Sequence, residues 1–227
     1  MRKVVALAGN PNVGKSVIFN ALTGAKQKVG NWPGVTVEKK EGICKYKGIE
    51  FHIVDLPGIY GFTASSIDEK IARDFILQKP DVVVDIVDAS NIERNLYLTM
   101  QLVEMEANIV VALNKMDLAK AKGYKINIRK LSKELGLPVI PMVAVKNEGI
   151  DDLKEAMYHV TKHGARTFLR YNDGVEEMIS AVQERVIEHN LLPNYPPRFV
   201  AIKLLEGDEE ILKMANFSEE VVKQWIS

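Results

Sequence analysis

The stretch Gly9-Asn10-Pro11-Asn12-Val13-Gly14-Lys15-Ser16 spaces its glycines and its Lys-Ser pair as a polyphosphate-binding loop does. A triphosphate needs many donors close to its oxygens, and only glycines let a chain curl that tightly without a Cβ in the way. The amides of Gly14, Lys15 and Ser16 are expected to point at a β-phosphate from the start of a helix that Val17 continues, where the helix dipole also favours anions. Lys15 would reach the β- and γ-phosphates, and the Ser16 hydroxyl would ligate Mg²⁺.

Three later stretches complete that chemistry. In Gly30-Asn31-Trp32-Pro33-Gly34-Val35-Thr36-Val37-Glu38, two glycines and a proline predict a mobile loop. Gly34, Val35 and Thr36 could close on a γ-phosphate, with the Thr36 hydroxyl on Mg²⁺, so that the loop orders only around a triphosphate. Asp55-Leu56-Pro57-Gly58 ends an apolar run. The Asp55 carboxylate suits Mg²⁺ and the Gly58 amide could sense the γ-phosphate. Asn114-Lys115-Met116-Asp117 ends another. An Asp carboxylate only accepts, so Asp117 matches the N1–H and 2-amino donors of guanine. Leaving those groups unpaired against adenine would cost several kcal/mol, on the order of 10⁴ in discrimination. Asn114 would brace the loops and Lys115 would lie over the ring.

The elements that must position these residues are legible in the apolar pattern. Strands are expected at 4–8, 43–46, 51–55, 82–88, 109–114 and 139–143. Helices are expected at 65–78, 92–106, 127–135 and 151–162, the second with a capping box from Ser90 to Glu93. This alternation reads as an α/β fold with a six-stranded, mostly parallel sheet flanked by helices. Near residue 166 it stops, and helical periods follow at 175–190, 199–205, 209–215 and 218–225. The division is 1–166 for the nucleotide-binding part and 167–227 for a small all-helical part.

Composition is that of a globular chain: 227 residues, 47% hydrophobic and 26% charged, with thirty basic residues balancing thirty acidic ones. No global charge points to nucleic acid, and the acidic run at 206–210 argues against a basic RNA-binding appendage. The single cysteine, Cys44, excludes an internal disulfide and fits a reducing compartment. No run approaches the ~18 apolar residues of a membrane span, and the first residues lack a signal-peptide pattern. The chain ends inside a helical pattern without a capping glycine, as a piece of something longer would. His159 and His163 stand four apart, the spacing of two metal ligands, but read more simply as a solvated helix face.

Taken together these motifs resemble the TRAFAC-class, Ras-like small GTPases. The fifth motif of that class, usually Ser-Ala-Lys, is here Val143-Ala144-Val145. The Ala144 amide can still meet guanine O6, while the side-chain support of Ser and Lys is lost. A closer resemblance rests on 29–38, on Asp68-Glu69-Lys70-Ile71-Ala72-Arg73-Asp74, and on the stretch 86–99, which contains Asp88-Ala89-Ser90-Asn91. These look like FeoB, the prokaryotic ferrous iron transport protein B family. That resemblance implies one antiparallel strand in the sheet. It also implies a GTPase module at the cytoplasmic face of the cell membrane, ahead of a membrane-embedded Fe²⁺ transport region in the same polypeptide. A homo-oligomer is compatible with it.

Ras-like enzymes follow Asp-x-x-Gly with a Gln that orients water. Here Ile59 follows Gly58, so hydrolysis of GTP to GDP is expected to be slow and to rest on Asn12, Lys15, Thr36 and Gly58. Asn12 is similar to the residue that holds K⁺ in potassium-activated GTPases. Two other readings stay open: a soluble RNA- or ribosome-associated GTPase, and a GTP-sensing scaffold that barely hydrolyses.

Overall fold

The computed structural model describes residues 1–24, 27–62, 66–165, 167 and 169–225. Its sheet is built from β1 (Arg2–Gly9), β2 (Gln27–Asn31), β3 (Glu38–Tyr46), β4 (Ile49–Asp55), β5 (Val82–Asp88), β6 (Ile109–Asn114) and β7 (Val139–Pro141), in the spatial order β2-β3-β4-β1-β5-β6-β7. β1 pairs in parallel with β4 on one side and β5 on the other, and β6 and β7 continue in parallel. β3 is antiparallel to both of its neighbours, so it is the one strand running against the rest. The central strands are buried on both faces, as the Val/Ile-rich run of β5 requires. Seven strands stand where six were expected. The extra one, β2, carries no buried residue, so no apolar alternation announced it.

The helices are α1 (Lys15–Thr23), α2 (Ile67–Leu77), α3 (Ile92–Glu104), α4 (Met116–Ala121), α5 (Ile128–Leu135), α6 (Ile150–His163), α7 (Asp173–Glu188), α8 (Pro197–Leu205), α9 (Glu209–Ala215) and α10 (Glu219–Trp225). Their starts follow local chemistry. Ser66 caps α2 by accepting from the Glu69 amide, and Asp68 and Glu69 sit in the first turn near the positive end of the dipole. Asn127, Asn172 and Asp208 cap α5, α7 and α9 in the same way, and Pro197 occupies the first turn of α8. The expected start of α2 at Ser65 falls outside the described residues, as does residue 166 at the expected boundary. The Ser90–Glu93 capping box does not form. Asp88 takes the capping role by accepting from the Ser90 amide, Ala89–Asn91 becomes a 3-10 turn, and Asn91 precedes α3 without a side-chain cap.

One core packs α1 and α6 onto a face of the sheet, with Phe19, Phe51, Leu153 and Met157 fully buried. The other packs α2 and α3 onto the opposite face. Asp85 lies on β5 facing α3, with no exposure to solvent. Its Oδ2 accepts from Thr99 Oγ1 at 2.5 Å, while Oδ1 has no partner among the described residues. Burial pushes its pKa up to about 7.

α7, α8, α9 and α10 share a third core around Val182, Val186, Val200 and Ile211. They join the sheet layers through mixed contacts. Phe199 of α8 is fully buried in the α2–α3 core, which contributes about 2–3 kcal/mol of apolar burial. Arg73 of α2 donates to Glu210 at 3.0 Å and lies 5.8 Å from the Tyr195 ring centroid. The Tyr171 hydroxyl donates to Glu104 at the end of α3. Among the described residues, no helix is long and apolar enough to cross a membrane.

Candidate functional site

The C-terminal ends of β1, β4, β5 and β6, and the segment after β7, all lie on one edge of the sheet. The chain leaves β1 there between neighbours that connect in opposite directions, the place where open α/β sheets bind ligands. The sequence-selected segments follow β1 (9–17), β4 (55–58), β6 (114–117) and β7 (143–145), so the fold gathers them.

The loop after β1 wraps into α1, with the Val17 and Ile18 amides both donating to the Gly14 carbonyl. Gly14 has φ 96, and a Cβ there would lie 2.4 Å from Asn114 Nδ2. Only glycine fits, on conformation and on space. Asn12 is left-handed at φ 65 and exposed, Ser16 and Val17 are exposed, and Val13 is buried. Asn10 is 4% exposed, and its Oδ1 has no partner among the described residues. The curled glycine backbone, a cationic Lys15 and the exposed Ser16 hydroxyl suit a phosphate and a hard cation.

Lys15 Nζ donates to Asp55 Oδ1 at 2.5 Å. Burial pushes the Asp55 carboxyl upward, and the Lys15 ammonium opposes this. The two residues therefore neutralise each other beside the glycine loop. The turn Leu56-Pro57-Gly58 is seated on the loop. The Ile59 amide donates to the Gly9 carbonyl at 3.2 Å, and a Cβ on Gly58 would lie 3.2 Å from Pro11 Cα. Ile59 itself is 3% exposed within the α2–α3 core. The position where a water-orienting side chain was sought thus points away from the site.

Asn114 ties the segments together. Its Nδ2 donates to the Val13 carbonyl at 2.9 Å and its Oδ1 accepts from the Ala144 amide at 3.0 Å. The Ala144 amide, expected to be free for guanine O6, is therefore already engaged, and an O6 contact would have to share it. Lys115 is left-handed at φ 60, a conformation costing about 1 kcal/mol for a non-glycine residue. Its Nζ donates to the Asn12 carbonyl at 2.7 Å and to Asp88 Oδ2 at 2.8 Å. Met116 opens α4 and Asp117 follows it, one carboxylate oxygen accepting from the Leu118 amide. Beside Asp117 lies an open cavity of about 440 Å³ lined by Met116, Asp117, Tyr124, Val143, Lys146 and Glu148, within the range of small-molecule sites.

Two residues were given no place in the site by the sequence reading. Lys146, one place past the expected lysine position, brings its Nζ to 3.8 Å from Asp117 Oδ2, restoring side-chain support that Val145, which is exposed, does not give. Asp88 is 6% exposed at the end of β5. Burial alone would raise its pKa, but hydrogen bonds from Lys115 and Ser90 hold it below the ordinary carboxylate range. A carboxylate ending an apolar strand beside Asn114 was the available signal.

The stretch expected as a mobile loop has strand pairing at both ends and a turn between them. Gly30 and Asn31 belong to β2, opposite Lys39 and Glu38. The turn closes with the Trp32 amide donating to the Val37 carbonyl at 2.9 Å and the Val35 amide to the Trp32 carbonyl at 3.2 Å. Trp32 is buried, edge-on to Phe75 of α2 at 5.7 Å, with Lys39 Nζ 4.8 Å from its ring centroid. Gly34, at φ 77, and Thr36 are exposed at the tip. The hydrogen bonds of this turn among the described residues are internal to the hairpin, so Thr36 is not held at the loop.

The family description for ferrous iron transport protein B matches residues 3–157, and that for the FeoB cytosolic helical domain matches residues 171–226. The chain belongs to the FeoB family. It is 53% identical over 213 residues to the Fe(2+) transporter FeoB of Methanocaldococcus jannaschii, covering 92% of this chain and 32% of that protein. It therefore spans about a third of the length of that relative. Solved FeoB structures align over nearly the whole chain. The cytosolic domain of T. maritima FeoB in a GDP form superposes at TM-score 0.87 with 41% identity, covering 100% of this chain and 93% of that one. Its GMPPNP form superposes at TM-score 0.85 with 42% identity, covering 99% and 94%.

Away from this edge, His159 Nε2 lies 3.0 Å from Glu155 and the His159 ring stacks on His163. Cys44 is buried. Among the described residues, no three His, Cys, Asp or Glu side chains form a metal-holding group.

Proposed function

We propose that residues 1–166 form a GTP-binding, slowly GTP-hydrolysing unit and residues 167–227 a helical unit packed on it. Together they act as the cytosolic regulatory module of a membrane Fe²⁺ transporter. The observation that carries this reading is the convergence on one sheet edge of the glycine loop, the Asp55 turn and Asp117, tied by Asn114. The GDP and GMPPNP forms of the T. maritima FeoB cytosolic domain support the choice of nucleotide.

In this reading the loop amides and Lys15 bind the β- and γ-phosphates, and Asp117, supported by Lys146, accepts from the guanine donors. Lys15 exchanges its Asp55 partner for phosphate, which frees the Asp55 carboxylate. Ser16, Asp55 and Thr36 would hold Mg²⁺ and Asn12 would hold K⁺, the two cations supplying positive charge against the transferred phosphoryl group. The Gly58 amide donates to the γ-phosphate. With Ile59 packed in the core, no side chain at that position orients water, so turnover is slow. Thr36 reaches the site only if the hairpin tip moves, which makes 30–38 the segment that distinguishes GTP from GDP.

Titration with fluorescent GTP and ATP analogues, followed by phosphate release in KCl and in NaCl, tests this. Tight guanine-selective binding, lost in Lys15→Ala, and faster release in KCl are expected. Equal affinity for both nucleotides would overturn the guanine reading. No single-turnover hydrolysis would leave a nucleotide-sensing scaffold. A potassium effect that survives Asn12→Ala would remove Asn12 from that role. Fe²⁺ uptake by the complete protein should cease in Lys15→Ala.

A further inference from the structure

Asp88 is buried, charged and outside every phosphate-, metal- and base-reading motif, yet it is bonded into the middle of them. Its Oδ1 is gripped twice by Ser90, from the amide and from the hydroxyl, each at 2.8 Å. Its own amide donates to Asn95 Oδ1 at 3.2 Å, and Asn95 is anchored in turn on the Asn91 carbonyl at 2.9 Å. In the sheet Asp88 stands beside Asn114. The remaining oxygen, Oδ2, receives the Lys115 ammonium at 2.8 Å. The same ammonium donates to the Asn12 carbonyl at 2.7 Å. Asn12 and Lys115, the residues this ammonium joins, are both left-handed.

We propose that Asp88 is a positioning residue of the nucleotide site: by pinning the Lys115 ammonium it fixes the Lys115 stem over the base and, through the same ammonium, the Asn12 carbonyl of the phosphate loop. One carboxylate at the end of β5 thereby couples the base-reading loop to the phosphate loop. This rests on the GTP reading above. The chemistry favours a fixed anion. A lysine spanning two loops keeps four rotatable bonds unless its charged end is held. A carboxylate immobilised by two Ser90 donors holds it without itself moving.

The test is a double-mutant cycle on the full chain, read as the release rate of a fluorescent GDP analogue by stopped flow. Asp88→Asn keeps the shape and the Ser90 contacts but removes the charge. Release is expected to accelerate about ten- to hundredfold, the worth of one charge-assisted hydrogen bond. In a Lys115→Ala background the same substitution should change release by less than twofold, because Asp88 acts only through that lysine. Loosening of the fold in general would instead accelerate release in both backgrounds. A single Asp88→Asn within twofold of wild type, or equal acceleration in the two backgrounds, overturns the proposal. Ser90→Ala leaves the charge and removes one anchor. It should give a smaller acceleration that also vanishes in Lys115→Ala, and it carries the test if Asp88→Asn fails to fold. Wild-type chain that is folded but binds no GDP analogue would remove the GTP reading itself. Binding with an unaffected Asp88→Asn would remove only this inference.

Discussion

Replacing Asn114 by alanine gives a magnitude that follows from geometry. Asn114 is 4% exposed, and the groups it satisfies belong to Val13 and Ala144, each 2% exposed. The substitution deletes two hydrogen bonds, to the Val13 carbonyl at 2.9 Å and from the Ala144 amide at 3.0 Å. Both orphaned groups stay in a packed interior where water cannot replace the amide. A buried polar group left unpaired costs about 1–3 kcal/mol. Two such groups, softened by local relaxation, therefore cost about 2–4 kcal/mol. For a chain of this size each kcal/mol shifts Tm by about 2–4 °C, so nucleotide-free Asn114→Ala is expected to melt roughly 5–15 °C below wild type. The assay is thermal unfolding followed by far-UV circular dichroism without nucleotide, which separates the brace from any contact to a base. Asn114→Asp should be at least as damaging, because it turns the donor facing the Val13 carbonyl into a charged acceptor. A Tm within 2 °C of wild type for Asn114→Ala would refute the reasoning: the loops would then hold their positions without the tie.

Three further outcomes are expected. The folded-state pKa of Asp85 is raised to about 7, so the folded chain keeps a proton that the unfolded chain releases near pH 4. Its contribution to stability is present below that pH and lost as pH rises toward 7; urea midpoints should fall over this window in wild type and flatten in Asp85→Asn. Glu210→Ala removes the Arg73 partner at 3.0 Å and leaves Arg73 with Asp74 at 3.1 Å and the Tyr195 ring. Partial exposure of Glu210 limits the loss to about 1 kcal/mol, and limited proteolysis between α7 and α10 should quicken. Gly14→Ala places a Cβ 2.4 Å from Asn114 Nδ2 and should abolish nucleotide binding in the fluorescence titration, while Gly174→Ala in α7, whose Cβ would meet Asn172 Oδ1 at an ordinary 3.8 Å, should leave binding unchanged.

Much of this was legible in the sequence because it rests on local rules. The runs of β1, β5 and β6 are apolar because both their faces are covered, and the glycine loop must follow a strand and open a helix. What escaped depends on pairing across distance. The strand β2, with no buried residue, is a strand only because β3 lies beside it. Helix α4, Met116–Ala121, is too short for periodicity and starts from a left-handed Lys115. Ser90 looked like a cap for α3 because nothing in the sequence reveals that Asp88 captures it. Lys146 was missed because the 3-10 turn at Ala144–Lys146 carries its side chain back toward Asp117 from one residue later than the motif places it.

The hairpin of β2 and β3 has a kinetic consequence. If the tip at Thr36 is to close over a γ-phosphate, β2 must either peel from β3 or swing with it, pulling Trp32 off Phe75. β2 pairs on one side only, to Lys39 and its neighbours, so peeling is an edge-fraying event, and its rate is set by that short ladder and the indole contact. The tempo of switching can therefore be engineered at the rim, by stiffening Gly30 or trimming Trp32, while the glycine loop, Asp55 and Asp117 are left unchanged.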